Sequence, residues 1–176
     1  MKSTGVVRRV DDLGRIVIPK EIRRTLKIRD GEELEIFVDN NMIFLKKFSK
    51  VSDLGEISKK LGDVASGLIN KTVLICDRDF IVSGSGEFKK KYLNKELSKE
   101  MGSNILSGHL YVEKCLSSIT ILNNVDEKYA YIINPIFCFG DVVGAVIILS
   151  LNSDISEFDI NISNMITHFL GKYVED

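Results

Sequence analysis

Arg8, Arg15, Arg23 and Arg24 lie within one short segment of the chain, and Arg8-Arg9 and Arg23-Arg24 bracket the apolar run Ile16-Val17-Ile18 that leads into Pro19. A guanidinium presents a planar fork of donors that takes a phosphate or a guanine edge two bonds at a time, whereas Lys20 and Lys27 nearby supply charge without that geometry. The chemistry this set suits is polyanion binding, with at least one arginine expected to pair with Asp11, Asp12 or Glu21 inside the fold.

Other chemistries find less material. Nucleophilic or acid–base catalysis needs partners within hydrogen-bond reach, and the two imidazoles stand apart from any catalytic signature. His109 follows Ser107-Gly108 in an irregular stretch and His168 sits beside Phe169 on the last helix, so structural or surface roles are expected for both. Ser83-Gly84-Ser85-Gly86 lacks the lysine and spacing of a phosphate loop and reads as a turn. Asp77-Arg78-Asp79 reads as a polar hairpin connection. Cys76, Cys115 and Cys138 are odd in number and far apart, without ligand spacing, which argues against a disulfide framework and a zinc site. No catalytic residue, metal or cofactor is expected.

Charge divides the chain. The 176 residues carry a net charge of −1, but residues 1–50 hold 12 basic against 8 acidic side chains, and residues 51–176 hold 12 against 17. Over residues 1–29 the ratio is 9 to 3. A polyanion-binding end joined to a module with another task is the reading this supports. The N-terminus lacks an apolar leader and Val142–Leu151 is too short to span a bilayer, so a cytoplasmic protein without a membrane partner is expected.

Val6–Val10 and Arg15–Ile18 have the β-branched character of strands around an Asp11–Gly14 reversal. Pro19 suits the first turn of a helix with Ile22 and Leu26 on one buried edge, Gly31 lies past its end, and Leu34–Val38, Asn40-Asn41 and Met42–Phe48 form a hairpin. About 50 residues so arranged bury too little apolar surface alone, and association should complete their core. A twofold dimer would also duplicate the arginines.

Leu54, Ile57, Leu61, Val64 and Leu68 recur at helical spacing after Asp53 and Glu56, which suit a helix start. Ile155, Phe158, Ile162, Met165 and Phe169 repeat the pattern after possible caps at Ser153 and Asp154. Each helix can pack on its own sheet; together they favour a dimeric helical bundle. Between them the sequence predicts strands over Thr72–Asp77, Phe80–Ser83, Ser118–Leu122, Tyr129–Phe139 and Val142–Leu151, and a helix over Phe88–Met101. Pro135 and Gly144 point to edge, bulged or interrupted strands, and the whole to an α+β sheet covered on one side.

The residues "MKSTGVVRRVDDLGRIVIPKEIRRTLKIRDGEELEIFV", with Gly14-Arg15, Ile18-Pro19 and Arg23-Arg24 in register, resemble the AbrB-type swapped-hairpin DNA-binding family. That resemblance implies an intertwined dimer sharing a β-barrel, with Arg8, Arg15, Arg23 and Arg24 contacting double-stranded promoter DNA. "PIFCFGDVVGAVIIL" at residues 135–149 is similar to a GAF sensor domain. Together the two resemble a family of spore-development regulators from endospore-forming bacteria. The implied fold class is α+β: a swapped-hairpin β-barrel dimerisation and DNA-binding domain at 1–50, a linking helix at 51–70, and a GAF-like α/β sensor domain at 71–176 with flanking helices. The resemblance further implies a homotetramer connected through helices at 53–69 and 155–173, activation and repression of forespore-specific genes, and room for an unidentified small-molecule effector. Two other classes stand beside it. An antitoxin would bind operators similarly but continue into a flexible toxin-wrapping segment, and a GAF-type methionine sulfoxide reductase would need a resolving cysteine pair.

Overall fold

The computed structural model describes residues 5–175, and the chain divides into two compact units, Met1–Phe48 and Ser49–Asp176.

In the first unit Pro19, with its extended ψ of 146°, opens helix α1 (Lys20–Thr25), and Lys27, at a positive φ of 54°, ends it. Strands β1 (Leu34–Asp39) and β2 (Met42–Lys47) pair antiparallel through Asn40 and Asn41, both at positive φ, as a tight hairpin reversal requires. Glu32 joins the end of α1 to this hairpin: it pairs with Arg29 at 3.6 Å and Lys47 at 3.2 Å.

Two expectations for this unit change. Val6–Val10 and Arg15–Ile18 flank the expected reversal, with Asp11 N–H donating to the Arg15 carbonyl at 3.1 Å, but neither forms a strand. The Ile22/Leu26 edge of α1 is also not buried, Leu26 being 54 % exposed. The physical reason is shared: none of residues 5–48 is buried, so a single copy offers these side chains nothing to pack on.

The second unit is built on a five-stranded antiparallel sheet in the order β4-β3-β7-β6-β5, from β3 (Thr72–Asp77), β4 (Ile81–Ser85), β5 (Tyr111–Leu122), β6 (Val125–Cys138) and β7 (Asp141–Ser150). Period-two alternation sends Val73, Ile75, Val146 and Ile148 to one face, and Leu74, Cys76, Ala145, Ile147 and Leu149 to the other. The first face is covered by α2 (Lys50–Asp53), α3 (Gly55–Ile69) and α6 (Glu157–Glu175); the second is covered by α4 (Lys89–Tyr92) and α5 (Lys99–Leu106). The sheet is therefore covered on both sides, because both alternating sets of its central strands are apolar.

The segment expected as one helix over Phe88–Met101 is two. Asn94 takes a positive φ of 61°, Leu97 bridges to Leu122, and Ser98 caps α5 by accepting from Met101 N–H at 2.9 Å. Ser83–Ser85 lies in β4 rather than in a turn. α3 begins after Leu54 without a side-chain cap, and the cap of α6 is Ser156, whose N–H donates to Asp159 Oδ2 at 2.7 Å.

Pro135 and Gly144 sit in interior strands. Pro135 is tolerated because β5 starts opposite Ile133, so beyond it β6 needs no donor on that side. A register shift does follow at Ile136/Phe137. Gly144 is required by close approach, since a Cβ there would be driven into the Cys76 carbonyl oxygen of the neighbouring strand. At the outer edge, β5 loses register between Glu113 and Ser117.

The two apolar seams divide between faces. α3 turns Ser58, Gly62, Ala65, Ser66 and Ile69 onto the sheet, leaving Val64 and Leu68 exposed. α6 buries Ile162, Ile166 and Leu170 and exposes Phe158, Met165 and Phe169, the last stacked on Tyr173 at 5.9 Å. The two helices pack beside each other. Among the described residues, no helix is long and apolar enough to cross a membrane.

Candidate nucleic-acid interface

The four arginines occupy three local settings, all in the first unit. Arg8 lies in the extended segment before the reversal, exposed, with Nη1 donating to the Val7 carbonyl at 3.3 Å. Arg15 closes the reversal. Arg23 and Arg24 share the last turn of α1, where positive side chains suit the partial negative charge of a helix C-terminus.

Asp11 builds the Arg15 site. Its Oδ1 accepts from Leu13 N–H at 3.0 Å and Arg15 N–H at 2.8 Å, and its Oδ2 accepts from Arg15 Nε at 2.8 Å. Gly14, at a φ of 77°, lets its own N–H reach the Asp11 carbonyl at 3.0 Å. The main-chain N–H of Arg15, and then its guanidinium, hold the Asp11 carboxyl below the usual carboxylate range. The Arg15 side chain nevertheless stays 71 % exposed.

Arg23 is held differently: its Nη1 donates to Asp30, whose side chain is 94 % exposed. Arg24 is exposed. Among the described residues no hydrogen bond or ion pair joins one of the four arginines to another, so the single copy presents them as separate donors. The expected arginine–Asp11 pair is present. The Asp30 partner of Arg23 is not legible in the sequence, since α1 stops at Thr25 and the pair depends on how the chain turns after it.

Around these cations the surface is apolar: Val7 is 86 %, Val17 73 %, Ile36 66 % and Val38 76 % exposed. Phosphate recognition by exposed guanidinium groups needs a rigid support, and in this unit that support must come from covering these side chains.

The second unit offers no comparable set. Tyr92 donates to Glu127 at 2.5 Å, Tyr129 donates to Glu127 at 3.1 Å, and Lys91 pairs with the same carboxylate. Burial pushes Glu127 up, but the hydrogen bonds from Lys91, Tyr92 and Tyr129 outweigh it and leave its carboxyl below the usual range. Burial, with Glu127 adding to it, drives the Tyr92 phenol strongly upward, so the cluster is a satisfied network that fixes α4 on β6. His109 and His168 are exposed, Cys76 and Cys138 are buried and Cys115 is exposed. Burial also pushes the Cys76 thiol up, away from reactivity. Asp77 accepts from Asp79 and Phe80 N–H groups, as a hairpin connection does. Among the described residues, no group of His, Cys, Asp and Glu is arranged to hold a metal ion.

Residues 53–175 match the family model "Stage V sporulation protein T C-terminal, transcription factor", and residues 7–52 match "Antidote-toxin recognition MazE, bacterial antitoxin". The chain is similar to stage V sporulation protein T of Bacillus subtilis, 42 % identical over 177 residues that cover 99 % of each. It is also similar to the transition state regulatory protein AbrB of the same organism, 62 % identical over 48 residues, which cover 27 % of this chain and 50 % of that protein. In fold it is similar to a GAF domain/HD domain protein from Geobacter sulfurreducens, with a TM-score of 0.56 at 14 % identity over 74 % of this chain and 99 % of that one.

Proposed function

We propose from one premise, that the chain belongs to the stage V sporulation protein T family of transcription factors, that Arg8, Arg15, Arg23 and Arg24 of paired copies hold promoter DNA. The AbrB-type unit at the N-terminus is the DNA-binding part and the GAF-like fold follows it. The observation that carries the reading is the pairing of four arginines, three exposed and Arg23 half-buried, with a unit in which no residue from 5 to 48 is buried. Exchange of hairpins between two copies supplies the missing core and doubles the cationic set at one stroke. The domain boundaries we propose are 1–50 for this module and 71–176 for the sensor, with residues 51–70 connecting them and packing, as α2 and α3, on the sensor's sheet.

Phosphate contacts and DNA deformability dominate recognition, which makes the operators sequence-tolerant. The regulator activates some forespore genes and represses others, in the cytoplasm where the chromosome lies. Its second unit senses a small-molecule signal and is not an enzyme, a reading supported by two buried thiols and a single exposed one. An antitoxin's wrapping segment is disfavoured by the folded sheet that follows residue 50.

The test is fluorescence anisotropy of the full chain with promoter DNA from about 50 to 200 mM salt. If each dimer engages at least about five phosphates, log affinity falls linearly with log salt with a slope steeper than about −4. Affinity that is flat in salt, or an intact oligomer that binds no promoter, removes the reading.

We assign the outward faces of α3 and α6 to contacts between dimers. Met165→Asp/Phe169→Asp places charges on exposed positions, so the helix survives while the particle mass by light scattering falls by about half at micromolar concentration. An unchanged mass places the tetramer contact elsewhere.

A further inference from the structure

The geometry points to Asp11 as a positioning residue for DNA recognition: by accepting from the Nε side of Arg15 it turns the Nη1/Nη2 edge of that guanidinium outward for a phosphate or guanine. The inference rests on the reading of Arg15 as a DNA contact.

A guanidinium has five N–H donors in a rigid plane and two edges that can each give a phosphate two bonds, Nε/Nη2 and Nη1/Nη2. A carboxylate on Nε leaves the end-on Nη1/Nη2 edge available, whereas one on Nη1 takes a donor from that edge and leaves only the side-on Nε/Nη2 edge. The chain shows both cases. Asp11 Oδ2 takes Arg15 Nε at 2.8 Å, while Asp30 takes Arg23 at Nη1.

The two acids also differ in how firmly they are held. Asp11 is fixed by two main-chain N–H groups through its other oxygen, in a reversal that Gly14 closes with a third main-chain bond. Asp30, 94 % exposed at its side chain, is an exposed partner that a phosphate can displace. One acid thus aims its arginine and the other competes with DNA for its arginine.

The usual electrostatic rule gives the opposite sign for Asp11. Removing any negative charge near a bound polyanion strengthens binding. A loss of affinity on neutralising Asp11 therefore cannot come from net charge.

Asp11→Asn is nearly isosteric. Its Oδ1 can still accept from Leu13 and Arg15 N–H, but an Nδ2 donor replaces Oδ2 and cannot accept from Arg15 Nε–H. The experiment compares the full chain with Asp11→Asn, Asp30→Asn, Arg15→Ala and Asp11→Asn/Arg15→Ala by anisotropy on one promoter fragment at fixed salt. Mass is checked by light scattering, and the Arg15 Nε–H resonance is followed by NMR.

We expect Asp11→Asn to bind about three- to tenfold more weakly and to shift that resonance, while Asp30→Asn binds as tightly as the parent or more tightly. The double variant should bind no more weakly than Arg15→Ala, because Asp11 acts through Arg15. Tightening by Asp11→Asn to the same extent as Asp30→Asn reduces Asp11 to a repelling charge and overturns the inference, as does an additive double variant. Full affinity in Arg15→Ala removes the underlying reading of Arg15 itself, a failure distinct from the other two.

Discussion

Arg23→Ala/Arg24→Ala is expected to lower promoter affinity by about two to three orders of magnitude near 0.1 M salt, with particle mass unchanged. The two side chains sit on the last turn of a six-residue helix; alanine's helix propensity offsets the favourable charge lost at that end, so α1 and its Pro19 start are kept. In a twofold dimer the substitution deletes four guanidinium groups. If each contributes about 1 kcal/mol through phosphate binding and counterion release, the sum is about a thousandfold. The Arg23–Asp30 pair reduces this only slightly, because an exposed pair is worth under about 1 kcal/mol and Asp30 yields to a phosphate. The salt slope should become shallower by about 0.9 for each phosphate that the variant leaves unneutralised. Parent-like affinity and slope in an intact oligomer mean that the DNA lies against some other face.

Gly144→Ala is expected to destabilise the second unit by at least about 3 kcal/mol in urea unfolding. Gly144 pairs with Asp77 on one side and with Ile136 on the other, so β7 is confined between two backbones. A methyl group there meets the Cys76 carbonyl, which belongs to main chain and cannot rotate away. Relief requires β3 and β7 to separate, and those strands carry Ile75, Ile147 and Ile148, all essentially buried. Alanine at Gly67, where a Cβ meets nothing within 4 Å, is the matched control and should cost nothing or stabilise α3. An unchanged midpoint for Gly144→Ala would show that the two strands have slack.

Legibility from sequence followed the range over which each feature is decided. β3 spans Thr72–Asp77 as its β-branched run predicts, and the Asn40-Asn41 hairpin is readable because turn type and strand alternation are local. The strands over Val6–Val10 and Arg15–Ile18 are not formed because their apolar faces have no partner within one copy. The break between α4 and α5 depends on Leu97 meeting Leu122, a pairing that no window around residue 94 contains. The second covered face is not legible because Met101 and Ile105, the buried pair of α5, fall on either side of the helix end that the sequence predicts.

For the site, the residue types were legible and their orientation was not. Arginine spacing and the excess of positive charge mark a basic segment, and the family resemblance narrows it to Arg8, Arg15, Arg23 and Arg24. Which nitrogen each carboxylate takes is set by the Asp11–Gly14 reversal and by where α1 stops, and that distinction carries the opposite expectations for Asp11 and Asp30.

The break in register of β5 between Glu113 and Ser117 bears on how copies avoid the wrong association. A sheet's outer strand is an open template on which another molecule's backbone can add, and repeated addition yields a fibre. β5 interrupts that template near its middle and places Lys114 in the gap, so a docking strand loses its ladder after a few residues and meets a charge. For a chain that leaves apolar side chains exposed within residues 5–48 and on α3 and α6, such an interrupted edge limits open-ended growth and favours closed, countable particles.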